Sequence, residues 1–360
     1  MGRRPTLSDV AREAGVSVST ASLAFSGSGP VAEATKERVM AAAQTLGYAG
    51  PNPLGRQLRS GRYGVVGVVI GDKLERSFRD PVSIQVLDGL VSTLGPLGLG
   101  VLLIPGADSG TEGVVAVDAL LETGGMDVAV LIWGSHVDDP RVDALRRRGI
   151  PIVIGEGTET QDCSLVAIDD RRGVRELAGY LHGLGHRRVA NITLPFRMGR
   201  RPGWVDDDRR SVVDWTPTRH RLEGLEDSDL EVVATYETEA SLVENGADAA
   251  RRILDPSRWP DPSLRPTAIV AQSDLLAAGA VLAAREMGLR VPEDLSVAGF
   301  DGIELPWLGA DTLTTVAQPL EGKGAELGRA AFAMLDGEVT STVLDVELRV
   351  GTTTGPPPAR

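Results

Sequence analysis

Between Tyr63 and Val350 short apolar runs alternate with longer amphipathic segments, and this alternation constrains the fold more than any other feature of the chain. The runs Val65–Ile70, Gly100–Ile104, Val128–Trp133, Ile152–Ile154, Val166–Asp169, Arg188–Thr193, Val232–Tyr236, Ala268–Ala271, Ser296–Phe300, Leu313–Ala317 and Val343–Val350 read as strands. Helical spacing falls between them at Pro81–Leu94, Pro140–Arg148, Arg171–Leu184, Leu242–Leu254, Asp274–Met287 and Leu320–Leu335. Strands without polar alternation are buried on both faces, the mark of parallel sheets covered by helices. So long a stretch exceeds one such sheet, and an α/β core of two doubly wound lobes over 63–350 is expected. Lobe 1 takes about 63–165 plus 318–338, lobe 2 about 166–317 plus 340–350, and 351–360 is a tail. The segment 196–217, with Arg200–Arg201, Asp206–Asp208 and Arg209–Arg210, reads as a solvated loop.

The first 62 residues differ in character. They carry eight Lys/Arg against four acids, a net of +4, which leaves −17 of the formal −13 to everything that follows. A small cationic head on an anionic body is the distribution expected when only the head approaches a polyanion. The longest apolar run, Leu275–Ala284, is too short to span a bilayer. Polar Thr6, Ser8 and Asp9 follow Arg3 and Arg4 where a signal peptide would be apolar, so no membrane association and a cytoplasmic location are expected. The single cysteine, Cys163, has no partner for a disulfide or a zinc cluster, and neither metal nor cofactor is expected.

The head reads as three helices over 1–48. Thr6 is a suitable N-cap for Leu7–Ala14, Gly15 ends that helix, and Ser17 caps a second that runs to Phe25. Val10, Ala14 and Val16 are placed to pack on Ala21, Ala24 and Phe25, with Val39, Ala42, Ala43 and Leu46 of a third helix completing the core. That is a helix-turn-helix. Val18, Ser19, Ser22 and Leu23 share the opposite face of the second helix. Residues 49–62, rich in Pro, Gly and Arg, form a hinge.

Several motifs together resemble the LacI/GalR transcriptional repressors. They are Thr6–Thr20 (TLSDVAREAGVSVST), Thr35–Val39, Leu46–Tyr48 and Pro51–Arg59 in the head and hinge. In the core, Gly185–Val189, Ser273–Asp274, Gly288–Asp301 and Leu313–Pro319 are similar to that family's periplasmic-binding-protein-like domain. The resemblance implies a homodimer that binds a pseudo-palindromic double-stranded operator and responds to a small effector, with a sugar or related metabolite expected. No heptad segment follows Val350, so the tetramerising tail of some relatives is not expected.

For DNA contacts, the outward residues of the second helix, Val18, Ser19, Ser22 and Leu23, face base edges in the major groove. By resemblance, the Leu23 position is often Arg or His. Leucine cannot make arginine's bidentate contact to guanine but packs on a thymine methyl, so thymine is expected near Leu23 and Val18. Core packing of Val18 and Leu23 is the alternative, and phosphate contacts carrying most of the affinity is a third. Hydroxyls at Thr6, Ser8, Ser17, Thr20, Ser22, Ser26, Thr35 and Tyr48 suit phosphate oxygens, although several are also ordinary caps. Leu58 stands at the family's minor-groove wedge, and Gly55 replaces a usual alanine, which predicts tighter operator binding for Gly55→Ala.

For the effector, the resemblance places Asp301 and Arg219 at the family's ligand-binding aspartate and arginine, with Ser273 beside them. A carboxylate and a guanidinium can grip vicinal hydroxyls; an interlobe ion pair without ligand is the alternative. Phe78, Trp133 and Glu156 follow strands in the other lobe and could supply a stacking face or an acceptor. Ligand identity is not legible, and nucleosides or no effector stay open.

No enzyme is expected. Gly95–Gly100 precedes a strand and lacks the dinucleotide fingerprint. His182 and His186 lack the glutamate of a metalloprotease helix, so His186 reads as a helix C-cap. No nucleophile elbow is present. A secreted solute-binding protein would account for the core but not for the basic head.

Overall fold

The computed structural model describes residues 5–26, 29–50, 61–71, 74–106, 119–134, 139–197 and 201–359, Ser26 by its backbone only. The chain divides into two compact units with the break between Gly64 and Val65.

The first unit contains α1 (Leu7–Glu13), α2 (Val18–Ser26) and α3 (Glu33–Leu46). Thr6 and Asp9 form a reciprocal capping box at α1: Thr6 Oγ1 accepts from the Asp9 N–H (3.3 Å), and the Asp9 carboxylate accepts from the Thr6 N–H (3.0 Å). Ser17 Oγ accepts from the Thr20 N–H at the start of α2 (3.0 Å). The turn between α1 and α2 needs Gly15 at φ 65°, and α3 ends on Gly47 at φ 66°. Val10, Ala11, Ala14, Ala21, Ala24, Val39, Ala42 and Ala43 are buried together, with Val16, Phe25, Leu46 and Tyr48 packed around them.

The second unit holds two mainly parallel sheets. In chain order its strands are β1 (Val65–Val69), β2 (Gly100–Ile104), β3 (Val128–Leu131), β4 (Ile152–Gly155), β5 (Cys163–Ile168), β6 (Arg188–Thr193), β7 (Gly203–Trp204), β8 (Glu231–Glu237), β9 (Ala268–Ala271), β10 (Ser296–Asp301), β11 (Thr314–Ala317), β12 (Ser341–Leu344) and β13 (Glu347–Arg349). Its helices are α4 (Leu74–Ser77), α5 (Pro81–Leu94), α6 (Ala119–Thr123), α7 (Pro140–Arg147), α8 (Asp170–Gly183), α9 (Asp207–Arg210), α10 (Thr216–Glu226), α11 (Val243–Leu254), α12 (Asp274–Glu286) and α13 (Leu320–Met334). The first sheet has the order β12-β5-β4-β3-β1-β2 and the second β13-β11-β10-β9-β6-β8-β7. Antiparallel pairs occur only at two edges of the second sheet, β11–β13 and β7–β8, among the described residues. Both faces of each sheet bury apolar side chains against helices, which is why the strands lack polar alternation.

Four features depart from the sequence reading. The strand expected at Val166–Asp169 spans 163–168 and pairs with β4 and β12, so it belongs to the first sheet and the chain crosses after Ile168. The expected strand Val343–Val350 is two strands in different sheets, and the chain crosses between Leu344 and Glu347. The segment 196–217 is no mere loop: it contributes edge strand β7 and helix α9. Arg209 Nε donates to buried Glu237 there (2.6 Å). The residues after 350 are stitched into the second lobe, where the Val297 N–H donates to the Thr353 carbonyl (2.9 Å) and Thr353 Oγ1 to the Val297 carbonyl (2.7 Å).

His186 explains part of that stitching. Its imidazole does not cap α8; it is fully buried and hydrogen-bonded to Thr267 Oγ1 (2.8 Å), Ser296 Oγ (3.2 Å) and the Gly355 carbonyl (2.9 Å). Among the described residues no His, Cys, Asp and Glu cluster is placed to hold a metal ion, and no helix is long and apolar enough to cross a membrane.

Candidate functional site

In the head, α2 presents Val18 (47 % exposed) and Leu23 (37 % exposed) to solvent, so the packed-core reading of these two fails. Ser17 and Ser19 are exposed and Thr20 and Ser22 half-buried on the same helix and its cap. Ser8 is exposed on α1, and Thr35 half-buried on α3. Thr6 and Ser17 serve as helix caps. Tyr48 packs its ring edge-on against Phe25, with centroids 5.6 Å apart. Among residues 18–26 there is no charged side chain at all. The Ser26 side chain, Gly55 and Leu58 lie outside the described residues.

In the core, a cavity of about 160 Å³ opens at the C-terminal ends of the parallel strands, where ligands of such sheets bind. The first lobe contributes Gly71 after β1, Trp133 after β3, Glu156 after β4, and Asp80, Val82 and Ser83 at the start of α5. The second contributes Leu194 and Pro195 after β6, Ser241 after β8, Ser273 after β9, Asp301 at the end of β10, and Trp215, Thr218 and Arg221 from α10 and its cap. Gln318 follows β11. The volume is close to that of a cavity known to admit one six-membered ring.

Of the five residues expected here, Trp133, Ser273 and Asp301 line the cavity. Phe78 does not: it is 53 % exposed. Arg219 does not either, and Arg221 takes its place. The reason is helical phase. Thr218, Arg221, Leu222 and Leu225 form the buried stripe of α10, and Arg219 falls off it. The sequence reading assigns no helix to 218–226, so this i, i+3, i+4, i+7 signal goes unused there. Trp215 was also missed. Its ring closes on the first lobe beside Gly71 and Gly134, where an added Cβ would lie 3.5 and 3.3 Å from it.

Behind the walls the polar groups form one connected array. Arg221 Nε donates to Asp170 (2.6 Å), and its Nη1 donates to the Gln272 carbonyl (2.5 Å) and lies 3.9 Å from Asp301 Oδ1. The guanidinium stacks over the Phe300 ring, 3.7 Å from its centroid. Gln318 Nε2 donates to Asp301 Oδ1 (2.8 Å), and Lys323 Nζ donates to Gln318 Oε1 (2.6 Å) and pairs with Glu156. The interlobe salt-bridge alternative does not hold for Arg221 and Asp301, which share a lobe; Glu156–Lys323 lies within the first lobe, and the pairs that join the lobes are Arg76–Glu239 (2.6 Å) and Arg79–Glu244 (2.7 Å). Asp274 accepts from the Gly302 and Ile303 N–H groups (2.7 and 2.9 Å) and from Thr315 Oγ1 (2.6 Å).

Burial dominates the titration of Asp170, Asp274 and Asp301. It raises Asp170 to about 6 despite Arg221, and Asp274 to about 7 despite three donors. Asp301 is pushed well above the carboxylate range by burial, against the pull of Arg221 and with repulsion from Asp274 and Asp80. Two cavity residues also hold left-handed backbone, Glu156 at φ 56° and Asp301 at φ 128°. Such outliers in non-glycine residues persist where the surroundings over-determine them, and they concentrate at ligand sites.

A helix-turn-helix unit joined to a two-lobed α/β core with a ring-sized cavity at its strand ends defines a ligand-responsive DNA-binding regulator. Residues 6–52 match the model of the bacterial regulatory proteins of the lacI family, and residues 178–354 that of the periplasmic binding protein-like domain. An HTH-type transcriptional regulator of Mycobacterium tuberculosis is 34 % identical over 99 % of this chain and 98 % of its own. The structure of transcriptional regulator CelR in complex with cellobiose matches with TM-score 0.66 and 27 % identity over 97 % of this chain and 100 % of that one. The lac repressor dimer bound to operator and the anti-inducer ONPF shares the fold, with TM-score 0.78 and 23 % identity over 98 % and 100 % of the two chains. The chain belongs to the LacI family and is a DNA-binding transcriptional regulator, not an enzyme.

Proposed function

We propose that this regulator is a repressor that binds a pseudo-palindromic operator as a two-fold homodimer and adjusts its affinity to a small metabolite, a single sugar-like ring, held in the core cavity. The observation that carries this reading is the convergence of both lobes on one ring-sized space with aromatic walls (Trp133, Trp215) and a polar end (Asp301, Arg221, Ser273). A ring stacked on indole and gripped by a carboxylate and a guanidinium would draw the lobes together. Such a shift needs only about 1–3 kcal/mol of coupling to alter operator binding. Cellobiose in CelR supports a sugar as the ligand class.

Sequencing of genomic fragments retained by the purified protein at physiological salt tests the reading, followed by release assays with metabolites of the adjoining operon. A recurrent pseudo-palindrome whose retention by wild type, but not by Asp301→Ala, changes with one of those metabolites supports it. Retention without any shared sequence, or an unaltered response in Asp301→Ala, counts against it.

A further inference from the structure

The charge of the cavity bears on which rings can enter it. Four carboxylates, Glu156, Asp170, Asp274 and Asp301, are each at most 4 % exposed, and among the described residues of this array two cations, Arg221 and Lys323, are buried with them. Both cations are already committed, Arg221 to Asp170 and Lys323 to Glu156. A third, Arg76 at the cavity wall, pairs with Glu239 (2.6 Å). A further carboxylate, Asp80, lines the opposite wall and presses on Asp301. Among the described residues, each of these cations is therefore engaged by a protein carboxylate, while the buried acids outnumber the buried bases. Unbalanced buried charge of one sign is expensive, and the array retains protons to relieve it.

From this imbalance we infer that the cavity takes a ring without negative charge, favours one in which an amine replaces a hydroxyl, and rejects the phosphorylated and carboxylated counterparts. The inference rests on the effector reading above and narrows it. A phosphate would have to share the Arg221 or Arg76 guanidinium with the carboxylate it already pairs, and sit against Asp80, Glu156 and Asp301. An ammonium would instead supply the missing positive charge, stack against Trp133 or Trp215, and donate to Asp301 or Asp80.

The test is a titration of the full-length protein, followed by tryptophan fluorescence and calorimetry. Its probes are a panel of hexoses, pentoses, inositol and nucleosides, each offered as the neutral ring, the amine, the acid and the phosphate. For whichever parent ring binds, the amine should bind at least as tightly as the neutral form, and the phosphate at least about a hundredfold more weakly, the order expected of charges a few ångströms apart in a partly dry site. Calorimetry in buffers of different ionisation enthalpy should show proton release with the amine. A phosphate or acid that binds as tightly as its neutral parent, and loses that binding in Ser241→Phe, overturns the inference and leaves the effector reading intact. An amine bound about tenfold or more below its neutral parent overturns the preference for positive charge. No binding by any ring overturns both readings.

Discussion

The head and the core cavity meet their ligands with opposite chemistry. The reading face of α2 is exposed, carries no charge, and offers two aliphatic side chains among small hydroxyls. The cavity has aromatic walls backed by six buried charged side chains, the four carboxylates and two cations already described. The difference is one of dielectric environment. A charge on the head faces water and salt and is screened within about 10 Å, so the head's affinity comes from several weak contacts. In the core one unpaired charge outweighs many van der Waals contacts. Substitutions in the cavity array should therefore be severe and those in the head modest, and five measurements test that ordering.

The largest effect belongs to Arg221→Ala. It leaves Asp170 and Asp301 buried without their cation, and should cost about 3–5 kcal/mol in chemical denaturation of the core; a loss under 1 kcal/mol would mean that the cluster is wetter than its burial implies. Gly134→Val is next. At φ 63° the residue is in the left-handed region, and a Cβ would meet the Glu156 carbonyl at 3.1 Å and the Trp215 ring at 3.3 Å. About 1–3 kcal/mol of destabilisation is expected, with a change in tryptophan emission as Trp215 is displaced.

The third effect is a slope. Asp170 and Asp274 hold their protons to about 6 and about 7 in the fold, but release them near 3.9 when unfolded. Between pH 4 and 7 these two acids bind more protons in the folded state, so their contribution to core stability should fall as pH rises through this window, opposed in part by His186 and His220, which burial holds below the ordinary imidazole value. Urea denaturation at intervals across it should show the decline, and Asp274→Asn should flatten its upper part, above about pH 6. A pH profile that Asp274→Asn leaves unchanged would contradict this.

The smallest effects lie in the head. Removing the Thr6 cap with Thr6→Ala should cost about 1 kcal/mol of head stability in thermal unfolding. Replacing thymine by uracil in a retained operator deletes only a methyl group. At a base under Leu23 this should weaken binding by about 0.8 kcal/mol in fluorescence anisotropy, an effect absent in Leu23→Ala. Equal loss in both proteins would assign the thymine contact elsewhere.

Legibility in the sequence followed the same division. Core helices with long apolar stripes, such as Pro81–Leu94 and Asp274–Glu286, were readable to within a residue because burial imposes their periodicity. Asp301 was readable because the family resemblance marks it, directly after the expected strand Ser296–Phe300. Arg221 was not, since α10 starts after a run of charged residues and presents a polar surface, with its inner stripe spread over Thr218, Arg221, Leu222 and Leu225. The break at Leu344–Glu347 was hidden because β12 and β13 are edge strands with exposed apolar residues, among them Val343 at 64 %, and their sequence does not separate one sheet from the other. The aliphatic face of α2 was legible as a pattern, and only exposure distinguished it from core.

The late strands also govern the order in which this molecule can assemble on the ribosome. β12 closes one edge of the first sheet and β13 one edge of the second, and residues 351–355 lace the second lobe together through Thr353, Thr354 and His186. Neither lobe is complete until residues beyond 340 have been translated, whereas the apolar core of the head is drawn from residues up to Tyr48. Domains fold N-terminal first as they emerge. A nascent chain therefore displays a finished DNA-reading module well before it owns a cavity with which to sense anything, and regulation is the last property the protein acquires.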